Sequence, residues 1–215
     1  GTLRKNAVII QPIYTNPPPG GDIPEPTSRT TARLMKTGQI TSYATGDDGD
    51  IEAGREVDFF TLAENNPFGN TNRFTDELGG QDYTNGIVID WSTYDGSTVL
   101  GYYRSSSAIY NGNWDNTILF ALNFSISSFG TGWRVPNIKE FENIYNYGLW
   151  HKLDYQPFNL PNIQVFTSTT SRRDTSSAFT ATPSVDTTFI DYGKNYLRNA
   201  HLFCRDFTVN GTTLT

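Results

Sequence analysis

The sequence predicts an α+β fold in which short antiparallel strands surround two helices set in the middle of the chain. Three observations predict it. The apolar pattern is strand-like up to about Tyr110 and again beyond Trp150, whereas between them apolar positions recur at three- and four-residue spacing. Asn85-Gly86 and Asp95-Gly96, pairs typical of hairpin turns, punctuate the β-branched and aromatic run "NGIVIDWSTYDGSTVLGYYR". Of the 215 residues 14% are aromatic and only 18% charged, with Gly, Asn, Ser and Thr throughout, which suits a loop-rich domain better than a helical bundle. Strands, then helices, then strands is the order expected when helices pack to one side of an antiparallel sheet.

Taken in order, residues 1–33 read as an N-terminal strand, Val8 to Ile13, followed by a strap that is Pro/Gly-rich from Pro17 to Pro26, where proline removes backbone donors and keeps the chain extended. Residues 34–215 form the main domain. "GQITSYAT" is expected to be its first strand, and "AENNPFGNTNRFTDELGGQDY" is expected to be mostly loop. Asn113 is expected to cap a first helix with Trp114, Ile118, Ala121, Leu122 and Ile126 inward and Gly130 at its end. Asn137 is expected to cap a second, with Glu140 completing a capping box, Ile138, Phe141, Ile144 and Tyr145 on one face, and Gly148 at the C-terminal end. "IQVFTSTT", "SAFTATP", "TTFIDYG" and "HLFCRDF" then read as strands.

A net charge of −6 and an isoelectric point near 4.8 repel phosphate backbones and anionic membranes, so neither nucleic acid nor membrane insertion is expected. No apolar run has the length of a transmembrane helix, and "GTLRKNAVIIQ" lacks the basic-then-apolar pattern of a secretory signal, which leaves a removed signal or another export route. Cys204 is the single cysteine, read as a small buried hydrophobe. His201 and Cys204, three apart on a strand, point to opposite faces, and no nucleophile motif or phosphate loop is present, so no catalytic residue is assigned.

"KTGQITSYATGDDGD" places Asp47, Asp48 and Asp50 around one glycine. The spacing fails the EF-hand pattern, leaving either a looser calcium site on Asp47, Asp48 and Asp50 with Glu52 as a further ligand, or Asp47 and Asp48 as plain turn formers; calcium is the only cofactor these residues suggest. Tyr102, Tyr103, Tyr110, Tyr147 and Trp150 are candidate exposed platforms, because tyrosine and tryptophan present a large amphipathic surface at low entropic cost; the expected contacts among the loop tyrosines are Tyr94, Tyr102, Tyr103 and Tyr110. With Ser168, Arg172, Arg173 and Asp174 they make up the expected ligand-contacting loops.

Several pieces together resemble the Lcl C-terminal domain family of collagen-like adhesins: "KTGQITSYATGDDGD" at 36–50, "NRFTD" at 72–76 with "NGIVID" at 85–90, the Trp114 to Ala121 helix, "GWRVPNIKEFENIYNYG" at 132–148, and "FTSTT" at 166–170. The resemblance implies a C-type-lectin-like fold and a non-enzymatic adhesion or receptor-binding module, extracellular, on a bacterial cell surface or a virion such as a phage tail. It implies a host cell-surface glycan or protein as partner, with other virion or surface subunits a second class, and a homo-oligomer. Trp133 would be buried, Arg134 would tie the helix start to neighbouring loops, and Pro136-Asn137 would begin the helix. The chain departs from the family after the Asn-Gly turn, where it reads "WSTYDGSTVLGYY". The alternative reading is a structural virion or tail component whose surface serves assembly.

Overall fold

Strand β2, Ile87–Asp90, is buried at every position, a pattern that requires packing on both faces of its sheet. The computed structural model describes residues 39–42, 44–45, 58–149, 153–162, 164–182 and 189–215; the strap, the domain start near Leu34, the acidic residues Asp47, Asp48, Asp50 and Glu52, and Trp150 lie outside them. Within the described residues the fold is α+β. Strands β1 (Phe74–Thr75), β2, β3 (Thr98–Arg104), β9 (Leu202–Asn210) and β10 (Thr213–Leu214) form one sheet in the order β1-β2-β3-β9-β10, antiparallel throughout. Strand β4 (Tyr110–Gly112) pairs with β8 (Arg198–Ala200), while β5 (Val165–Thr170), β6 (Ser177–Ala181) and β7 (Phe189–Gly193) make a third sheet.

The period-two alternation sorts the large sheet's side chains into two cores. Val88, Leu100, Tyr102, Leu202 and Cys204 meet Phe141, Ile144 and Tyr145 and the segment Leu153 to Leu160 on one face. Ile87, Ile89, Val99, Phe203 and Phe207 meet Ala121, Trp133 and Val135 on the other. Helix α1 (Trp114–Asn123) covers the second face and α2 (Ile138–Asn143) the first. At Gly101 a Cβ would lie 2.4 Å from the Phe207 ring and 2.9 Å from Ile89 Cδ1, so the bare backbone is what lets that ring lie on the central strand.

Both predicted caps form. The Asn113 side chain accepts from the Asn116 amide, and Asn137 with Glu140 closes a full capping box. The helices are shorter than expected. Helix α1 stops at Asn123, and Gly130, at φ 66°, instead turns the chain so that Ile126 and Gly130 bridge. Helix α2 stops at Asn143, well before Gly148. Of the expected inward set on α1 only Ala121 is fully buried, and Leu122 is exposed with Leu119. Asn85-Gly86 ends a 3-10 turn, Tyr83–Asn85, rather than a two-residue hairpin. Residues 39–42 and 44–45, expected to be strand, carry no strand pairing.

Candidate ligand-binding surface

Two buried polar networks hold the scaffold. Arg73, fully buried, donates through Nε and Nη2 to the two oxygens of the equally buried Asp90, each at 3.0 Å. Its remaining donors reach the carbonyls of Asn143 at 2.6 Å and Phe59 at 3.3 Å. Its guanidinium carbon also lies 4.6 and 4.5 Å from the ring centroids of Phe59 and Phe74. Asp90 further accepts from Asn143 Nδ2 at 2.9 Å and from the amide and hydroxyl of Ser92. Such a pair is tolerated in the interior because every charged atom is satisfied.

The second network joins α2 to β9. Arg134 grips Glu140 with two bonds of 2.6 Å, and its Nη1 lies 3.0 Å from the sulfur of Cys204, while Arg134 and Cys204 exchange backbone bonds. Arg134 thereby ties the start of the helix to the sheet, and Trp133 is fully buried. Cys204 is buried as expected but lies among charges. Burial, followed by the Glu140 carboxylate, pushes its thiol well above the usual range. His201 is turned away from it, with Nδ1 at 2.9 Å from the Ser105 carbonyl.

The carboxylates of the loops are committed to their own turns. Asp76 accepts from the amides of Leu78, Gly80 and Asp82. Asp95 accepts from the amides and hydroxyls of Ser97 and Thr98; the Thr98 and Ser97 amides, then the two hydroxyls, hold its carboxyl far below the ordinary range. Asp174 is lowered by the Ser176 hydroxyl and amide and by the Ser177 hydroxyl. Among the described residues, no group of three or more His, Cys, Asp or Glu side chains could hold a metal ion.

The most distinctive surface lies where β7 turns into β8. Lys194 places its ammonium 4.0 Å from the Trp114 ring centroid and donates to Thr170 Oγ1 at 3.0 Å. Its own amide donates to Ser176 O, and its carbonyl accepts from Trp114 N, each at 2.9 Å. Arg198 sits 4.0 Å over Tyr192, and Tyr192 meets Tyr196 edge-on with centroids 5.0 Å apart. Thr170, Ala178 and Tyr192 are ladder partners, so this cation-aromatic layer lies across one face of the three-stranded sheet and buries Ala178 completely. At the tip, Tyr196 is 56% and Leu197 64% exposed.

No family model, curated protein or solved structure matches this chain. The surface is therefore read from its own chemistry.

The expected ligand residues fall in different surroundings. Tyr102 is a correction: it is 0% exposed, its hydroxyl donating to the Glu140 carbonyl, because even-numbered residues of β3 face the α2 core. Tyr103 packs on Phe124 and Trp133, and Tyr110 is stacked on Phe120 with ring centroids 4.4 Å apart, so neither ring has two open faces. Tyr94 is half-buried against Trp91 at the far end of β3, about 20 Å of strand away from Arg104. Ser168 is half-buried, its amide donating to Pro136 O, while Arg172, Arg173 and Asp174 are exposed in the β5-β6 turn. That turn is joined to Lys194 through Ser176, so the Ser168 to Asp174 segment and the β7-β8 tip share one end of the molecule. Trp114, Tyr192, Lys194, Tyr196 and Arg198 were not legible as a site. The available signal was "DYGKNYLRN", a turn sequence whose flanking tyrosines have no apolar alternation to bury them.

Proposed function

We propose that the chain is an adhesion or receptor-binding module, displayed outside the cell on a bacterial surface or a virion, that engages a host glycan or protein through the loops at one end of its sheets. The observation that carries this reading is the β7-β8 tip. An exposed Tyr196 and Leu197 stand on a base fixed by Lys194, Trp114 and Tyr192, and rigid, solvent-facing aromatics on a pinned turn are how binding surfaces lower the entropy of association. The adjoining β5-β6 turn adds Arg172, Arg173 and Asp174. The resemblance to the Lcl C-terminal domain family and its lectin-like fold agrees with a sheet framed by helices and rich in loops. Among the described residues no helix is long and apolar enough to cross a membrane.

Binding of fluorescently labelled protein to panels of bacterial and mammalian cells tests the reading, with a variant whose residues 194–197 are replaced by Gly and Ser. Retention of the native protein on at least one cell type, lost in the variant, is expected. No binding, or identical binding by both proteins, refutes it. A second reading, an assembly subunit of a virion or tail, is favoured by the exposed Leu119 and Leu122 on the outer side of α1. Substituting both with glutamate would then abolish assembly and spare cell binding.

A further inference from the structure

The adhesion reading leaves the class of ligand open, and the chemistry of the tip narrows it. The two cations that flank Tyr196 in sequence are already engaged within the chain: Lys194 on Trp114 and Thr170, Arg198 on Tyr192 and the Leu197 carbonyl. The carboxylates beside them are engaged as well, Asp174 by Ser176 and Ser177, and Asp191 by Ser171. Arg172 and Arg173 are exposed across the adjoining β5-β6 turn, whereas on the β7-β8 turn itself what faces solvent without a hydrogen-bond partner is neutral. The Tyr196 ring, its phenol and the Asn195 amide have no hydrogen-bond partner among the described residues.

The backbone under them is shaped to hold this pair. A Cβ on Gly193 would come within 3.1 to 3.2 Å of the Tyr196 ring and of Asn195 Oδ1, so both side chains lie back over the bare glycine. The Tyr196 amide donates to Gly193 O at 3.2 Å, and Tyr192 buttresses the ring from its edge. An aromatic ring fixed from below offers its outward surface to a C–H-rich partner, since the electron-rich face attracts weakly positive hydrogens. An unpaired amide and phenol beside it supply donor and acceptor capacity suited to hydroxyl groups, each of which is both.

We propose that Tyr196 and Asn195 form a subsite for a neutral saccharide, with the pyranose C–H face on the Tyr196 ring and sugar hydroxyls on Asn195 and the phenol. The proposal rests on the adhesion reading. Lys194 and Arg198 are positioning residues: they hold the aromatic base and carry no part of the ligand's charge.

The test is a printed array of neutral and acidic oligosaccharides probed with the full chain, followed by titration of the strongest neutral binder by NMR. Neutral glycans are expected to bind, with affinity falling about tenfold in Tyr196→Ala, the equivalent of about 1.4 kcal/mol, and by only about threefold in Tyr196→Phe, which keeps the ring and loses the phenol's hydrogen bond. Raising salt from about 50 to about 500 mM is expected to leave affinity within about twofold, because no ion pair forms. Tyr196 is at the surface, so circular dichroism is expected to show both variants folded. Binding to acidic glycans alone with steep salt dependence overturns the proposal, as does neutral binding indifferent to Tyr196→Ala. Cell binding that survives periodate but not protease also overturns it while leaving the adhesion reading intact. Absence of both glycan and cell binding removes the two together.

Discussion

Replacing Asp90 with asparagine removes one charge from the interior at almost constant volume, and the geometry sets the size of the effect. Arg73 Nη2 and Asn143 Nδ2 both donate to Oδ2, while Arg73 Nε and both donors of Ser92 point at Oδ1. Whichever oxygen becomes an NH2 group, at least two donors then face a donor, and the guanidinium is left buried without its counter-charge. Two orphaned buried groups at about 1–3 kcal/mol each, or one broken buried pair at about 3–5 kcal/mol, agree on a loss near 4 kcal/mol. With a urea slope of about 2 kcal/mol per M, the unfolding midpoint should fall by about 2 M, and the thermal midpoint by roughly 10 °C. The exposed Lys139–Glu142 pair, at 2.6 Å, provides the contrast, and Lys139→Ala should change stability by less than about 0.5 kcal/mol. The double variant Arg73→Met/Asp90→Leu should recover more than 1 kcal/mol relative to the sum of the two single changes, since no lone charge remains. A loss below about 1 kcal/mol in Asp90→Asn, the range of surface pairs, would refute this account of the core.

Gly101→Ala drives a methyl into Phe207 and Ile89 on the central strand and should cost about 1–3 kcal/mol by urea denaturation; an unchanged midpoint would mean the rings shift freely. Asp95 is depressed in the folded state from the ordinary 3.8, so its turn contributes stability that is complete above pH 4 and is lost as pH falls through the folded value. Melting of the native protein should therefore drop on acidification below pH 4, and Asp95→Ala should show a shallower drop. The Cys204 thiol, buried and raised, should resist iodoacetamide at neutral pH in native buffer and alkylate fully in denaturant, as read by mass spectrometry.

Local signals carried much of the fold into view from the sequence. Asn113 and Asn137 are legible because a side-chain oxygen before a helix satisfies amides within three residues, a purely local demand. The strands after residue 160 are legible for the same reason, their β-branched runs being bounded by turns. Parity was not legible: Tyr102 and Tyr103 differ only in which face of β3 they occupy, and with both faces covered the pattern of apolar residues does not say which one leads to solvent. The inward set expected of α1 differs from the one observed because Trp114 has the composition of a core residue, whereas it holds its indole N–H against the Thr167 carbonyl and its ring under Lys194. The candidate surface depends on segments near residues 114, 170 and 192–198 meeting, and such long-range pairing is not encoded in local spacing.

Arg73 binds together residues near 59, 90 and 143, three stretches that meet only when the chain has closed on itself. An arrangement of this kind has no stable halfway form, because each stretch that leaves exposes the others to an unpaired charge. Opening piecemeal is therefore costly: freeing β1, β2 or the end of α2 singly leaves the Arg73 charge short of partners, so hydrogen exchange is expected to show these stretches opening together. Cleavage by a protease depends on partly open species, and those are the ones this charge makes scarce.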